Sequence, residues 1–132
     1  MKRITIYDGQ RDRNKADALE AAVHDNGDLV FESYLFGDMD QTFRVADDRE
    51  YWIIIKAENV SKVRRLLIDE RFENIATFEE WLKELTAKLG DLEGSQDPMI
   101  LLWLIKERFE DEHKINQWLR KKKIPYEIRH WG

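Results

Sequence analysis

The stretch "REYWIIIK" (49–56) decides the fold of this chain. Tyr51, Ile53 and Ile55 alternate with Trp52 and Ile54, so a strand here would be apolar on both faces. β-Branched and aromatic side chains suit a pleated backbone. A strand with two apolar faces belongs inside a sheet, covered at least partly on both sides. The residues just before it are acidic (Asp47, Asp48, Glu50), and those just after it, "AENV" (57–60), open a helical pattern.

Working toward the N-terminus, "KRITIY" (2–7) alternates and is rich in branched residues, which predicts a strand. "DLVFESYLF" (28–36) predicts another, and "QTFRV" (41–45) a shorter one. Asn26-Gly27 is a hairpin signal, because a type I′ turn needs positive φ at both central residues. It implies that roughly 18–24 pairs with 28–36. The Ala and Leu residues of 16–22 favour helix by propensity, so a short helix over 14–23 is the rival.

Toward the C-terminus the period changes to that of helices. Asn59 can cap a first helix with Val60, Val63, Leu66 and Leu67 on one stripe. "TFEE" (77–80) has the form of a capping box, with Thr77 as cap and Glu80 reaching back. Phe78, Trp81, Leu82, Leu85 and Leu89 follow at helical spacing, and Gly90 ends the run. Asp97-Pro98 opens a third helix, to about 109, that is apolar nearly all round and predicts a central core element. A fourth, about 112–122, carries Ile115, Trp118 and Leu119. Pro125 stops it, and "IPYEIRHW" (124–131) closes as a strand. The fold class expected is α+β: one domain over 1–132, a mainly antiparallel sheet of four to five strands, and four helices in the C-terminal two-thirds. No internal repeat or low-complexity tract is expected.

Composition narrows function. The chain has 132 residues, 42% hydrophobic and 37% charged, with five Trp and a net charge of -5. That is a folded, mildly acidic protein, whose mean field opposes nucleic acid and suits a basic partner. No Cys is present, which excludes disulfides and thiolate metal sites. "MKRITIYDG" (1–9) lacks the apolar core of a signal peptide, and "MILLWLI" (99–105) is too short to span a bilayer. A cytoplasmic protein with no membrane and no nucleic-acid partner is expected.

Catalytic motifs are sparse. Asp38-Met39-Asp40 with Asp47-Asp48 invites a calcium loop, but Phe43 and Arg49 occupy the positions that require Gly and Glu. His24, His113 and His130 lack metal-ligand spacing. His24 beside Asp25 could form an oriented base, though packing or surface histidines are the plainer expectation. Glu50 and Glu127 could face each other across the sheet as paired carboxylates. "RKKK" (120–123) fits a helix C-terminus, where cations complement the dipole. Trp81, Trp103 and Trp118 fall on apolar stripes and Trp52 in the internal strand, which leaves Trp131 as the exposed one. No enzyme activity, cofactor or metal site is expected. The candidate partner-binding residues are Asp38, Asp40, Asp47, Asp48, Glu50 and Trp131, with Asp25 and Asp28 on a neighbouring turn. Clustered carboxylates steer a cationic protein toward its docking site.

The succession "NGDLVFE", "FGD", "EYWIIIKAENVSKVRRLL", "LLWLIKERF" and "INQWLRKKKIPYEIRHW" resembles a set of small bacterial proteins similar to immunity proteins of polymorphic toxin and contact-dependent growth inhibition systems. The resemblance spans most of the chain, with Arg49 standing where the set tends to have Tyr. It implies a small acidic cytoplasmic α+β protein that binds and blocks one cognate toxin, often a nuclease. It supplies no catalytic residues. The alternative from another class is a non-enzymatic adaptor or regulatory module.

Overall fold

The computed structural model describes residues 1–8, 18–35, 49–90, 92, 94 and 97–131. The strands are β1 (Lys2–Asp8), β2 (Ala18–Val23), β3 (Leu29–Leu35), β4 (Arg49–Ile55) and β5 (Glu127–Trp131). Between β4 and β5 run α1 (Ala57–Arg71), α2 (Ile75–Leu89), α3 (Pro98–Arg108) and α4 (Glu112–Lys121). The strands form one antiparallel sheet in the order β1-β2-β3-β4-β5, with β1 and β5 at its edges. The fold is α+β, as the strand and helix periods predict.

Alternation divides the sheet into two faces. Ile4, Leu19, Ala21, Leu29, Phe31, Ile53 and Ile55 join one hydrophobic cluster with residues of all four helices. Each fully buried aliphatic side chain in such a cluster is worth about 1.5–3 kcal/mol of transfer free energy. The other face is apolar at its centre too, where Ala22, Val30 and Ile54 are buried. β4 is therefore an internal strand between β3 and β5, with Ile53 and Ile55 buried on one face and Ile54 on the other. Helix α3 is the core helix, with Ile100, Leu101, Leu102, Leu104 and Ile105 all buried. The Lys106 ammonium fastens it to the sheet edge by donating to the Thr5 carbonyl at 2.6 Å.

Residues 18–23 are strand, so the hairpin reading holds over those positions. Residues 9–17 and the expected strand at 41–45 lie outside the described residues. The turn differs from type I′. Among the described non-glycine residues only Lys123 has positive φ, so Asn26 does not; Gly27 does, at +93°. The Gly27 amide donates to the His24 carbonyl and the His24 amide to the Asp28 carbonyl, both at 2.9 Å. A longer loop with its positive φ at Gly27 alone replaces the two-residue turn. The reason is tertiary. A Cβ on Gly27 would stand 3.0 Å from that of Ala57, and Asp28 accepts from the Ala57 amide at 2.9 Å. The hairpin tip thus caps α1.

That cap displaces two sequence assignments. The N-cap position of α1 is Lys56, without a side-chain cap of its own, and Asn59 lies inside the first turn. Helix α2 starts earlier than expected, with Asn74 as N-cap. Thr77 is the third helical residue of an Asn74–Thr77 capping box, in which Asn74 accepts from the Thr77 amide at 3.0 Å. Asp97 and Pro98 open α3 and Gly90 closes α2, as read from sequence.

Candidate functional site

The described members of the expected acidic group fall at two ends of the sheet. Asp38, Asp40, Asp47 and Asp48 lie outside the described residues. Glu50 of β4 and Trp131 of β5 are direct register partners, so two of the six predicted positions are brought together. They sit at the end of the sheet where β4 begins. Asp25 and Asp28 belong to the opposite end, at the β2–β3 hairpin, and are occupied structurally. Asp28 caps α1, and Asp25 accepts from the N-terminal amine at 2.7 Å. That amine holds the Asp25 carboxyl below its ordinary value.

Glu50 and Glu127 do not oppose each other. Glu127 pairs with Ile54, because β5 ends opposite Glu50 with Trp131. The carboxylates that do oppose are Glu20 and Glu32 on β2 and β3. Like charges directly across a ladder repel, and the Arg3 guanidinium relieves this by donating to both at 2.5 Å. Those bonds to Glu32 and then Glu20 raise the Arg3 pKa, against the opposing effect of burial. Glu32 is only 3% exposed, whereas the Arg3 and Glu20 side chains are 35% and 26% exposed, so the trio ties β1 to β2 and β3 with its Glu32 end buried. His24 keeps a buried Nε2 with no hydrogen-bond partner among the described residues, and His113 bonds Gln117 on the surface. Among the described residues no three His, Asp or Glu side chains gather as metal ligands.

The most organised cluster lies on the helical side, and it exposes a repeat. "IDERFEN" (68–74) recurs as "IKERFED" (105–111), and Trp81-Leu82 recurs at the same offset as Trp118-Leu119. The backbone repeats with the sequence. Phe72 ends α1 at φ -113°, ψ 129°, and Phe109 ends α3 at φ -118°, ψ 139°. Asn74 caps α2 at φ -155°, ψ 175°, and Asp111 caps α4 at φ -152°, ψ 166°. The Asp111 carboxylate accepts from the Lys114 amide at 2.8 Å, the counterpart of the Asn74 bond. The expectation of no internal repeat is corrected here. Helices α1–α2 and α3–α4 are two versions of one hairpin.

The two hairpins bond each other reciprocally. The Trp81 indole N–H donates to Glu107 at 3.1 Å, and the Trp118 indole N–H donates to Glu70 at 2.9 Å. Arg71 pairs with Glu107 at 2.6 Å, and Arg108 with Glu70 at 3.4 Å. Each Trp also packs on the Phe of its own corner, Phe72–Trp81 at 5.7 Å and Phe109–Trp118 at 5.6 Å between ring centres. The guanidinium of each Arg lies over that Phe, at 5.2 Å for Arg71 and 5.0 Å for Arg108. Burial by itself would raise the Glu70 pKa. The Trp118 N–H, Arg108 and Lys122 outweigh it and hold the carboxyl below its ordinary value.

Between the hairpins opens a cleft of about 410 Å³ lined by Leu67, Glu70, Arg71, Leu104, Glu107 and Arg108. These are three equivalent pairs, so the cleft is centred between the repeats. A second cleft of about 340 Å³ shares Glu70 and Arg108 and continues along α4 past Lys114, Gln117, Trp118 and Lys121. Hydrophobic spacing does not reveal this site, since it treats Glu and Arg as solvated filler. The signal was the repeated Glu-Arg-Phe-Glu. No protein family, curated protein or solved structure matches this chain.

Proposed function

We propose that this chain is an immunity-type inhibitor, a cytoplasmic protein that acts by binding one cognate bacterial toxin and blocking it. The docking surface is the end of the sheet where β4 begins. The observation that carries this reading is the register pairing of Glu50 with Trp131 there. In sequence, Asp47 and Asp48 stand directly before β4. A Trp in register with a Glu, with two Asp next to that Glu's strand in sequence, has the composition of an anchor with a charged surround. The net charge of -5 and the resemblance to immunity proteins support a basic toxin as partner. Among the described strands β5 is also an edge, with Ile128 41% exposed on it.

The test measures the activity of the neighbour-encoded toxin with and without excess chain. Neutralisation is expected, weakened about tenfold or more by Trp131→Ala or by Asp47→Lys with Asp48→Lys. Unchanged toxin activity in the presence of the intact chain would sink the proposal. Stable capture of an endogenous, non-toxic protein through the same residues would replace it with an adaptor role.

A further inference from the structure

The two edges of the described sheet are built differently. An edge strand leaves alternate N–H and C=O groups unpaired and is a template for another chain unless something blunts it. β1 is blunted twice. Its register slips between Thr5 and Tyr7, and the Lys106 ammonium occupies the Thr5 carbonyl at 2.6 Å. Among the described residues β5 carries neither device. It runs opposite β4 without a slip, from Glu127 beside Ile54 to Trp131 beside Glu50. Glu127, Ile128 and Arg129 are all exposed. Pro125 precedes the strand and does not interrupt it.

Charges on an edge ordinarily oppose pairing, and β5 has two. Their order decides what they oppose. Glu127 and Arg129 share the face of Ile54 and Trp52, their register partners, and Ile128 shares that of Ile53. Glu127 and Arg129 contact each other at 3.4 Å, with side chains 50% and 55% exposed. So exposed a contact contributes little. A second copy of the strand, related by a two-fold axis normal to the sheet, keeps each side chain on its own face. The symmetric antiparallel registers are therefore those centred on a residue. Centring on Glu127 sets two glutamates opposite each other and centring on Arg129 two arginines, and like charges directly across a ladder repel. Centring on Ile128 sets Ile128 against Ile128 and Glu127 against Arg129, twice by symmetry. The strand complements its own copy in that register and repels it in the symmetric registers on either side.

We propose that β5 binds a second copy of this chain, joining two sheets into one continuous antiparallel sheet about Ile128. Pairing runs from Tyr126 to His130 of each copy. Pro125, which has no N–H to donate, falls opposite Trp131 and ends the seam on each side. The two Trp131 positions stand at opposite ends of the seam. The interface is isologous, as two-fold symmetry requires. One short strand from each copy makes a small seam, so the dimer exchanges with monomer at micromolar concentration.

Sedimentation equilibrium of the intact chain tests this. The mass should rise with concentration from 15.9 kDa toward twice that value. Ile128→Lys should leave a monomer. Glu127→Arg and Arg129→Glu should each weaken association about tenfold or more, because two pairs turn from attraction to repulsion. Mixed in equal amounts, those two variants should pair with each other as tightly as the parent does with itself, since every cross-strand pair is then of unlike charge. All three variants should keep the parent's thermal midpoint at low concentration, because the substituted side chains are exposed. A parent that stays monomeric up to about 1 mM would overturn the proposal. So would undiminished association of Ile128→Lys or of either charge variant, or a mixture that does not pair. The measurement involves no toxin, so the dimer and the inhibitor reading fail separately.

Discussion

The α1–α2 hairpin and the α3–α4 hairpin turn the same corner with nearly the same dihedrals, yet they have different tasks. Helix α3 is buried nearly all round, whereas α1 buries only Val63 and Leu67. Helix α2 has fifteen residues and an aromatic group of Phe72, Phe78 and Trp81 at its start. Helix α4 has ten and a basic end. What the halves share makes the corner and the cross-bonds. What they do not share is core packing on one side and surface charge on the other. A repeat within one chain thus separates residues the architecture needs from residues free to acquire a further role.

The largest test of equivalence is truncation of the two tryptophans. Trp118→Ala and Trp81→Ala should each cost about 3–5 kcal/mol in urea unfolding, as expected for large-to-small changes in a core. Trp118 should be at the upper end, because it is 5% exposed and its loss strips Glu70 of its shortest bond. Equal losses would make the halves energetically as well as geometrically equivalent.

Next comes the pair of carboxylates. Glu70→Gln should cost about 1.5–3 kcal/mol, the range for a hydrogen bond to a charged group, and Glu107→Gln less. Glu70 meets Trp118, Arg108 and Lys122, whereas Glu107 meets only Trp81 and Arg71 among the described residues. A larger loss at Glu107 would reverse the ranking.

The pH dependence sharpens the same contrast. Glu70 has a depressed pKa in the folded state, so its contribution is complete above the ordinary glutamate value. It is lost as pH falls from there through the folded value. Acid titration of the unfolding midpoint should show this limb, and Glu70→Gln should flatten it. An unchanged acid limb in that variant would show that other carboxylates carry it.

The smallest effect should be the most symmetric. Asn74→Ala and Asp111→Ala each remove one bond to the third helical amide and should cost about 1 kcal/mol apiece. A difference well beyond that would mean that the two corners, alike in dihedrals, differ in stability.

Much of the scaffold was legible locally. The alternation in 49–55 placed an internal strand, the all-round apolarity of 98–108 placed the core helix, and Asp97-Pro98 and Gly90 marked helix ends. Asn59 and Thr77 stand next to the first residues of an apolar stripe, where a cap is expected, yet the N-caps are Lys56 and Asn74. The true boundaries depend on Asp28, almost thirty residues from α1 in sequence, and on Asn74 at a corner only three residues long. The repeat was present in the letters and invisible to hydrophobic spacing, since its strongest signature is charged. Of the expected docking residues, the pairing of Glu50 with Trp131 was not legible, because the register of β5 is set after four intervening helices.

By itself the sequence determined the periods, and with them the class: short alternating segments first, helical stripes next, one strand last. Side-chain alternation and helical spacing are local properties of the backbone, so they can be read one segment at a time. Tertiary structure decided which distant polar groups meet. A glutamate at the end of α1 is indistinguishable in sequence from any solvated glutamate. It becomes an acceptor for Trp118 only when α4 folds back across the corner, because a hydrogen bond depends on separation in space and not along the chain.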